Sequence, residues 1–226
     1  METVAFFGAS GGVGLSALKH TLASGRNCIA LCRNPAKLAS ILPPSAYPNL
    51  KIVQGDAHSF VSVSRCLQAR PGLLVDKIVS TIGSVCRRVI SILLYALSNL
   101  RREGSRGRPH IIVISSRGVS RFGRDTPLLM VPLYYLLKAP QEDKYMMEDL
   151  LISSSENFTI VRPSILVDKR ETTKKVRAGI EDPKIGRESA AIGYTIAKAD
   201  AGRWVAENLV FMQQNKYHNK ITMITT

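Results

Sequence analysis

Residues 134–144 read YYLLKAPQEDK. Within them Tyr134 and Lys138 form Y-x-x-x-K, a one-turn pairing that serves proton transfer. A second lysine, Lys144, follows, with Pro140 four residues before it where a matching tyrosine would stand. Upstream, Ser115 and Ser116 close the run HIIVISS, and hydroxyls at a strand end either enter a site or cap the next turn. Ser116, followed by Arg117-Gly118, is the better placed of the two for a site.

Near the start of the chain, TVAFF leads into GASGGVG, with Gly8, Gly11 and Gly14 spaced G-x-x-G-x-x-G. Gly8 suits a tight turn, Gly11 lets the backbone approach a pyrophosphate, and Gly14 permits close helix–strand packing. The free N–H groups of the helix start, with Ser10, Gly12 and Val13 between the glycines, face the anion. The second β-rich run ends LCRNPAKL, placing Arg33, Asn34 and Lys37 where an acidic residue would select NAD by its ribose hydroxyls. Basic residues there favour a 2′-phosphate, hence NADP, and the competing reading leaves Arg33 facing solvent. VQGDA ends the third run, so Asp56 is a candidate acceptor for the adenine amino group, with Ala57 as a backbone contact; a helix N-cap is the competing and compatible role for Asp56. STIG sets Thr81, Ile82 and Gly83 beside the adenine-side ribose and phosphates.

The elements that must hold these residues alternate. Strand candidates are 3–8, 27–32, 50–55, 76–83, 110–116, 157–163 and 220–225, with amphipathic stretches between them. Several strands are continuous apolar runs, which implies burial on both faces and an α/β, doubly wound, Rossmann-type parallel sheet with helices on each side. A chain of 226 residues, 45% hydrophobic, is read as a single domain spanning 1–226, with 117–140 and 167–192 as substrate-side insertions. The run LLMVPLYYLL is either a substrate wall or a core or dimer-interface helix, which leaves a homodimer open; it is too short to span a bilayer. Without a basic-then-apolar start, the chain reads as a cytoplasmic protein. Cys28, Cys32, Cys66 and Cys86 form no C-x-x-C pair and no metal-like pattern. The formal charge of +14 gathers in RREGSRGR, RGVSRFGR and KRETTKKVR, expected as loops. These clusters lack interleaved aromatics, so solvated loops or attraction of phosphate-bearing and acidic ligands come ahead of nucleic acid.

GASGGVG, RNPAKL, VQGD, STIG, VISS, KYMMEDLL, FTIVRPSIL and YTIAKADAGRWVAENL together resemble the atypical short-chain dehydrogenase/reductases. The likeness is strongest to the NmrA-like and biliverdin reductase B-like group, and it extends over nearly the whole chain. It implies NADPH chemistry on a small molecule, with fungal relatives that tailor secondary metabolites. It also admits cofactor-binding sensors without turnover and non-redox isomerases or cyclases. In the wider family a tyrosine protonates the alkoxide, a lysine one turn on lowers its pKa and holds the nicotinamide ribose, and a serine steadies the substrate carbonyl. Atypical members start a helix K-x-x-x-E-x-x-L on the ribose lysine before T-I-V-R-P. Lys144, Glu148 and Leu151 match it, which makes Lys144 the choice and leaves the tyrosine position at Pro140 vacant. Proline also suggests a break before that helix. Tyr134 then reaches in from the wall as an acid, or is a buried or interfacial aromatic, or forms the working pair with Lys138. Pro163, with the backbone of Ile165 and Leu166, is expected beside the nicotinamide, Ser115 beside the cofactor, and Asp200 at the family's late acidic position.

Overall fold

The computed structural model describes residues 1–123, 127, 129, 138–213 and 216–226, with the side chains of 138–140 left out. Tyr134, the side chain of Lys138 and most of the expected wall lie outside the described residues.

Strand β1 (Thr3–Phe7) enters helix α1 (Gly12–Ala23), followed by β2 (Asn27–Cys32), α2 (Pro35–Ile41), β3 (Leu50–Gln54) and α3 (Phe60–Leu67). A small hairpin, β4 (Gln68–Arg70) and β5 (Leu73–Leu74), precedes β6 (Lys77–Ser80), α4 (Cys86–Arg102) and β7 (His110–Ile114). Then come α5 (Lys138–Ser153), β8 (Asn157–Pro163), β9 (Ile165–Val167), β10 (Arg177–Asp182) and β11 (Gly186–Ser189). The chain closes with β12 (Thr195–Ala197), α6 (Lys198–Val205), a π-turn (Ala206–Val210) and β13 (Lys220–Thr225).

Nine strands form one sheet in the order β11-β10-β13-β8-β7-β6-β1-β2-β3. From β13 to β3 every neighbouring pair is parallel. The apolar runs fill two cores by alternation. Val4 and Phe6 point to the layer of α1 and α6, whereas Ala5 and Phe7 point to α3, α4 and α5. The chain leaves β1 toward β2 on one side and returns to β6 on the other. This is a topological switch point, and the crevice outside its strand ends is where such sheets bind ligands.

Two irregular segments take definite form. Within the 167–192 stretch, expected as a substrate-side insertion, 177–189 folds as a hairpin whose β10 adds antiparallel to β13, extending the sheet. Its alternation is masked in sequence by the charged residues of an edge. Pro140 does not precede α5 but lies in its first turn, where a missing N–H costs nothing. The helix therefore starts at Lys138, six residues before Lys144.

Candidate active site

The glycine loop leaves β1 at the switch point. Gly8 has φ +91° and Gly12 φ +55°, left-handed values that favour glycine. A Cβ on Gly14 would lie 2.4 Å from Thr81 Oγ1 and 2.5 Å from Gly8 O, so the start of α1 sits directly on the strand end. A Cβ on Gly11 would meet nothing within 4 Å, which leaves room for a ligand against the backbone. Helix α1 has no side-chain N-cap and no acidic residue in its first turn, so its leading N–H groups suit an anion. These residues fit a dinucleotide diphosphate. The Thr81 hydroxyl turns inward, donating to Gly8 O at 3.1 Å, and so holds the loop.

Beside the loop, a cleft of about 630 Å³ is lined by Gly8, Ser10, Arg33, Asp56, Ala57, His58, Ile82 and Ser84, among others. It gathers residues from the ends of β1, β2, β3 and β6, as expected of an adenosine site. Arg33 is exposed at its rim. Asn34 Oδ1 accepts from Lys37 N at 3.2 Å and caps α2, so its carbonyl is committed. Neither Asn34 nor Lys37 lines the cleft. Asp56 is not the N-cap of α3, a place taken by Ser59. Asp56 Oδ1 instead accepts from His58 N at 2.9 Å and meets His58 Nδ1 at 2.8 Å. The His58 backbone N–H first, then its ring, hold the carboxyl below its usual range. The sequence reading missed His58 and Ser84; the one available signal for His58 was its place two residues after Asp56.

Across the switch point, Asp143 of α5 reaches the start of α4. Its Oδ2 accepts from Cys86 N at 2.6 Å and its Oδ1 from Arg87 N at 3.3 Å. Val85, just before, has φ +53°, which is strained for a β-branched residue. This cross-element cap sets Lys144 beside Cys86 and the strand-end loop. Lys144 is half-buried, and its ammonium has no hydrogen-bond partner among the described residues. Burial chiefly lowers its pKa, opposed by Cys86, Glu148 and Asp143. The Cys86 thiol is pushed up to about 11, again mainly by burial, and donates to Ile82 O.

One turn on, Glu148 is buried against Arg162, which donates to its two oxygens at 3.1 and 2.6 Å. Arg162 also donates to Glu181 at 2.8 Å, and Ser120 donates to Glu181 at 2.5 Å. Ser115, buried at the end of β7, lies beside Glu148, whereas Ser116 is half-buried. Ser115 thus lies against the Glu148–Arg162 ion pair. At the end of β8, Pro163 is buried and Ile165 half-buried. The Ile165 N–H is donated to Tyr194 O at 3.1 Å, and Ile165 and Leu166 pair with β12. The Ile165 amide serves that ladder, so at this residue the side chain, beside Pro163, remains to meet a ligand.

The basic clusters are only partly solvated loops. Arg101 and Arg102 belong to the last turn of α4, and Arg101 pairs with Glu156. Arg117 is fully buried and donates to the carbonyls of Ala191 and Ile224. Arg121 sits over the Tyr145 ring at 4.7 Å and pairs with Asp149. All four cysteines are free and buried, and the described residues hold no group that could bind a metal ion. No helix among the described residues is long and apolar enough to cross a membrane.

Comparison with known proteins agrees with this geometry. Residues 8–210 match a family described as NAD(P)H-binding. The chain is 36% identical to the reductase pytE of Aspergillus terreus, over 99% of this chain and 97% of that protein. It is 30% identical to the oxidase pynE of Aspergillus niger, over 98% of each. Among solved structures, a short-chain dehydrogenase/reductase from Veillonella parvula in complex with NADP superposes with a TM-score of 0.74 at 14% identity, covering 100% of this chain and 94% of that one. The anaerobilin reductase ChuY of Escherichia coli O157:H7 gives 0.72 at 20% identity, covering 98% and 96%. The glycine loop, the switch-point cleft and the two full-length relatives agree, and the chain belongs to the NAD(P)H-binding family.

Proposed function

We propose that this protein is an NADP-dependent oxidoreductase acting on a small, largely apolar metabolite in secondary-metabolite tailoring. The observation that carries this reading is the pair of features flanking one strand-end crevice: a glycine loop with open N–H groups, and a half-buried lysine whose ammonium is unpaired among the described residues. The fungal relatives named reductase and oxidase support the reaction class. Bound there, a nicotinamide dinucleotide supplies the hydride.

The chain's own residues bind, orient and shield. The first-turn amides of α1 hold the diphosphate, and Arg33 at the cleft rim meets the 2′-phosphate, which selects NADP over NAD. Asp56 Oδ2, without a hydrogen bond among the described residues, accepts from the adenine amino group. Lys144 holds the nicotinamide ribose, its position set by the Asp143 cap. Pro163 backs the ring, and Ser116 orients the substrate oxygen. The proton comes from Tyr134, from water or from the substrate. Pro140 stands one turn before Lys144 and has no ionisable group, so a second reading stays alive: a protein that binds NADP and senses it, or guides an isomerisation or cyclisation by shape.

The test is cofactor oxidation, followed by loss of nicotinamide absorbance across quinones, enones, imines and flavins. Turnover that Lys144→Ala abolishes and Lys138→Ala spares supports the reading, as does Arg33→Gln weakening NADPH about tenfold with NADH unchanged. Tight NADPH binding with no turnover of any substrate moves the assignment to the second reading.

A further inference from the structure

Lys198 opens α6, and its backbone is set firmly against the glycine loop. A Cβ on Gly202 would lie 2.5 Å from Val13 O, and Ser16 Oγ donates to Ala199 O at 2.7 Å, so the starts of α6 and α1 are locked together. The Lys198 stem runs over the loop: its Cδ is 3.4 Å from where a Gly12 Cβ would stand. The ammonium lies two bonds beyond that carbon and donates to Asp168 Oδ2 at 2.8 Å. Asp168 is a loose anchor, because its side chain is 84% exposed and that of Lys198 is 33% exposed. Ion pairs this exposed contribute little. The segment behind Asp168 is fixed more firmly, since buried Asp200 accepts from Thr172 N and Thr172 Oγ1, each at 2.8 Å. Gly12, Lys19, His20, Lys169, Glu171, Lys198 and Asp168 border an open groove of about 660 Å³ that begins at the phosphate loop.

We propose that Lys198 is a cofactor-binding residue, whose ammonium leaves Asp168 to pair with the dinucleotide diphosphate seated on the α1 N-terminus. Asp168 then competes with the ligand for the same cation. This deepens the dinucleotide reading and rests on it. The physical reason is charge: a diphosphate offers more negative charge than one solvated carboxylate, and it lies against N–H groups already oriented by the helix. The proposal accounts for a lysine stem laid over the glycine loop, in contact with Gly12.

Its signature is that the two partners of one ion pair act with opposite sign. Dissociation constants for NADPH, ADP-ribose and 2′-AMP, by calorimetry, separate the ends of the ligand, because 2′-AMP carries the adenosine and 2′-phosphate but no diphosphate. Lys198→Met is expected to weaken NADPH and ADP-ribose about tenfold and leave 2′-AMP unchanged. Lys198→Arg restores most of the affinity. Asp168→Asn, a change at an exposed position that should not disturb folding, is expected to tighten NADPH and ADP-ribose about two- to threefold. Unchanged affinity in Lys198→Met, equal loss for 2′-AMP, or weaker binding in Asp168→Asn overturns the proposal while the dinucleotide reading stands. A wild-type protein that binds neither NADPH nor ADP-ribose overturns both.

Discussion

Asp143 carries two tasks that one substitution separates. It accepts the Cys86 and Arg87 N–H groups at the start of α4, a helix with no side-chain cap of its own and no acidic residue in its first turn. Loss of a capping acceptor costs about 1 kcal/mol, and a carboxylate at a partly buried helix N-terminus contributes about 1 to 2 kcal/mol more. Asp143→Ala should therefore cost about 2 to 3 kcal/mol. Asp143→Asn, which keeps an acceptor but not the charge, should cost about half of that. For a chain of this size the alanine variant should melt about 5 to 10 °C lower. Urea unfolding followed by circular dichroism should show the midpoint falling with an unchanged slope. Val85 gives an internal control: with φ +53° next to the cap, Val85→Gly should recover about 0.5 to 1 kcal/mol in either background. An alanine variant within about 0.5 kcal/mol of wild type would refute the capping argument. A destabilising Val85→Gly would refute the strain argument.

Lys77, at the foot of β6, donates to the carbonyls of Leu209, Val210 and Met212 and so closes the π-turn after α6. Lys77→Met keeps the stem but strands those acceptors, and should cost about 2 to 3 kcal/mol in the same unfolding assay. His110 is pushed down to about 3, first by burial and then by His218 and Lys77. Its unfolded form protonates near pH 6.5, so the unfolded chain binds the extra proton as pH falls below that value. This contribution is complete above about pH 6.5 and is lost progressively toward pH 3. Between pH 7.5 and 5.5 the wild type should lose about 1.4 kcal/mol more than His110→Gln; parallel pH profiles for the two would remove His110 as the source.

How much was readable in advance follows from the range of the interactions. The glycine spacing and the alternating apolar runs encode strand, turn and helix within a few residues, so the doubly wound sheet was legible from order alone. The ion pair of Glu148 with Arg162 lies in a recognisable motif, but its extension to Glu181 joins β8 to a strand hidden among charges. His58 entered the cleft through a turn that only Asp56 organises. Pro140 read as a helix break because proline forbids a helix interior, and the distinction between interior and first turn needed the backbone path of α5. The sequence by itself determined the fold and the glycine turn from β1 into α1, because backbone sterics and apolar periodicity act locally. Only the tertiary structure decided that Asp143 caps a helix some 57 residues away and that Lys198 lies over Gly12. Such contacts depend on how packed elements meet, and no spacing along the chain records that.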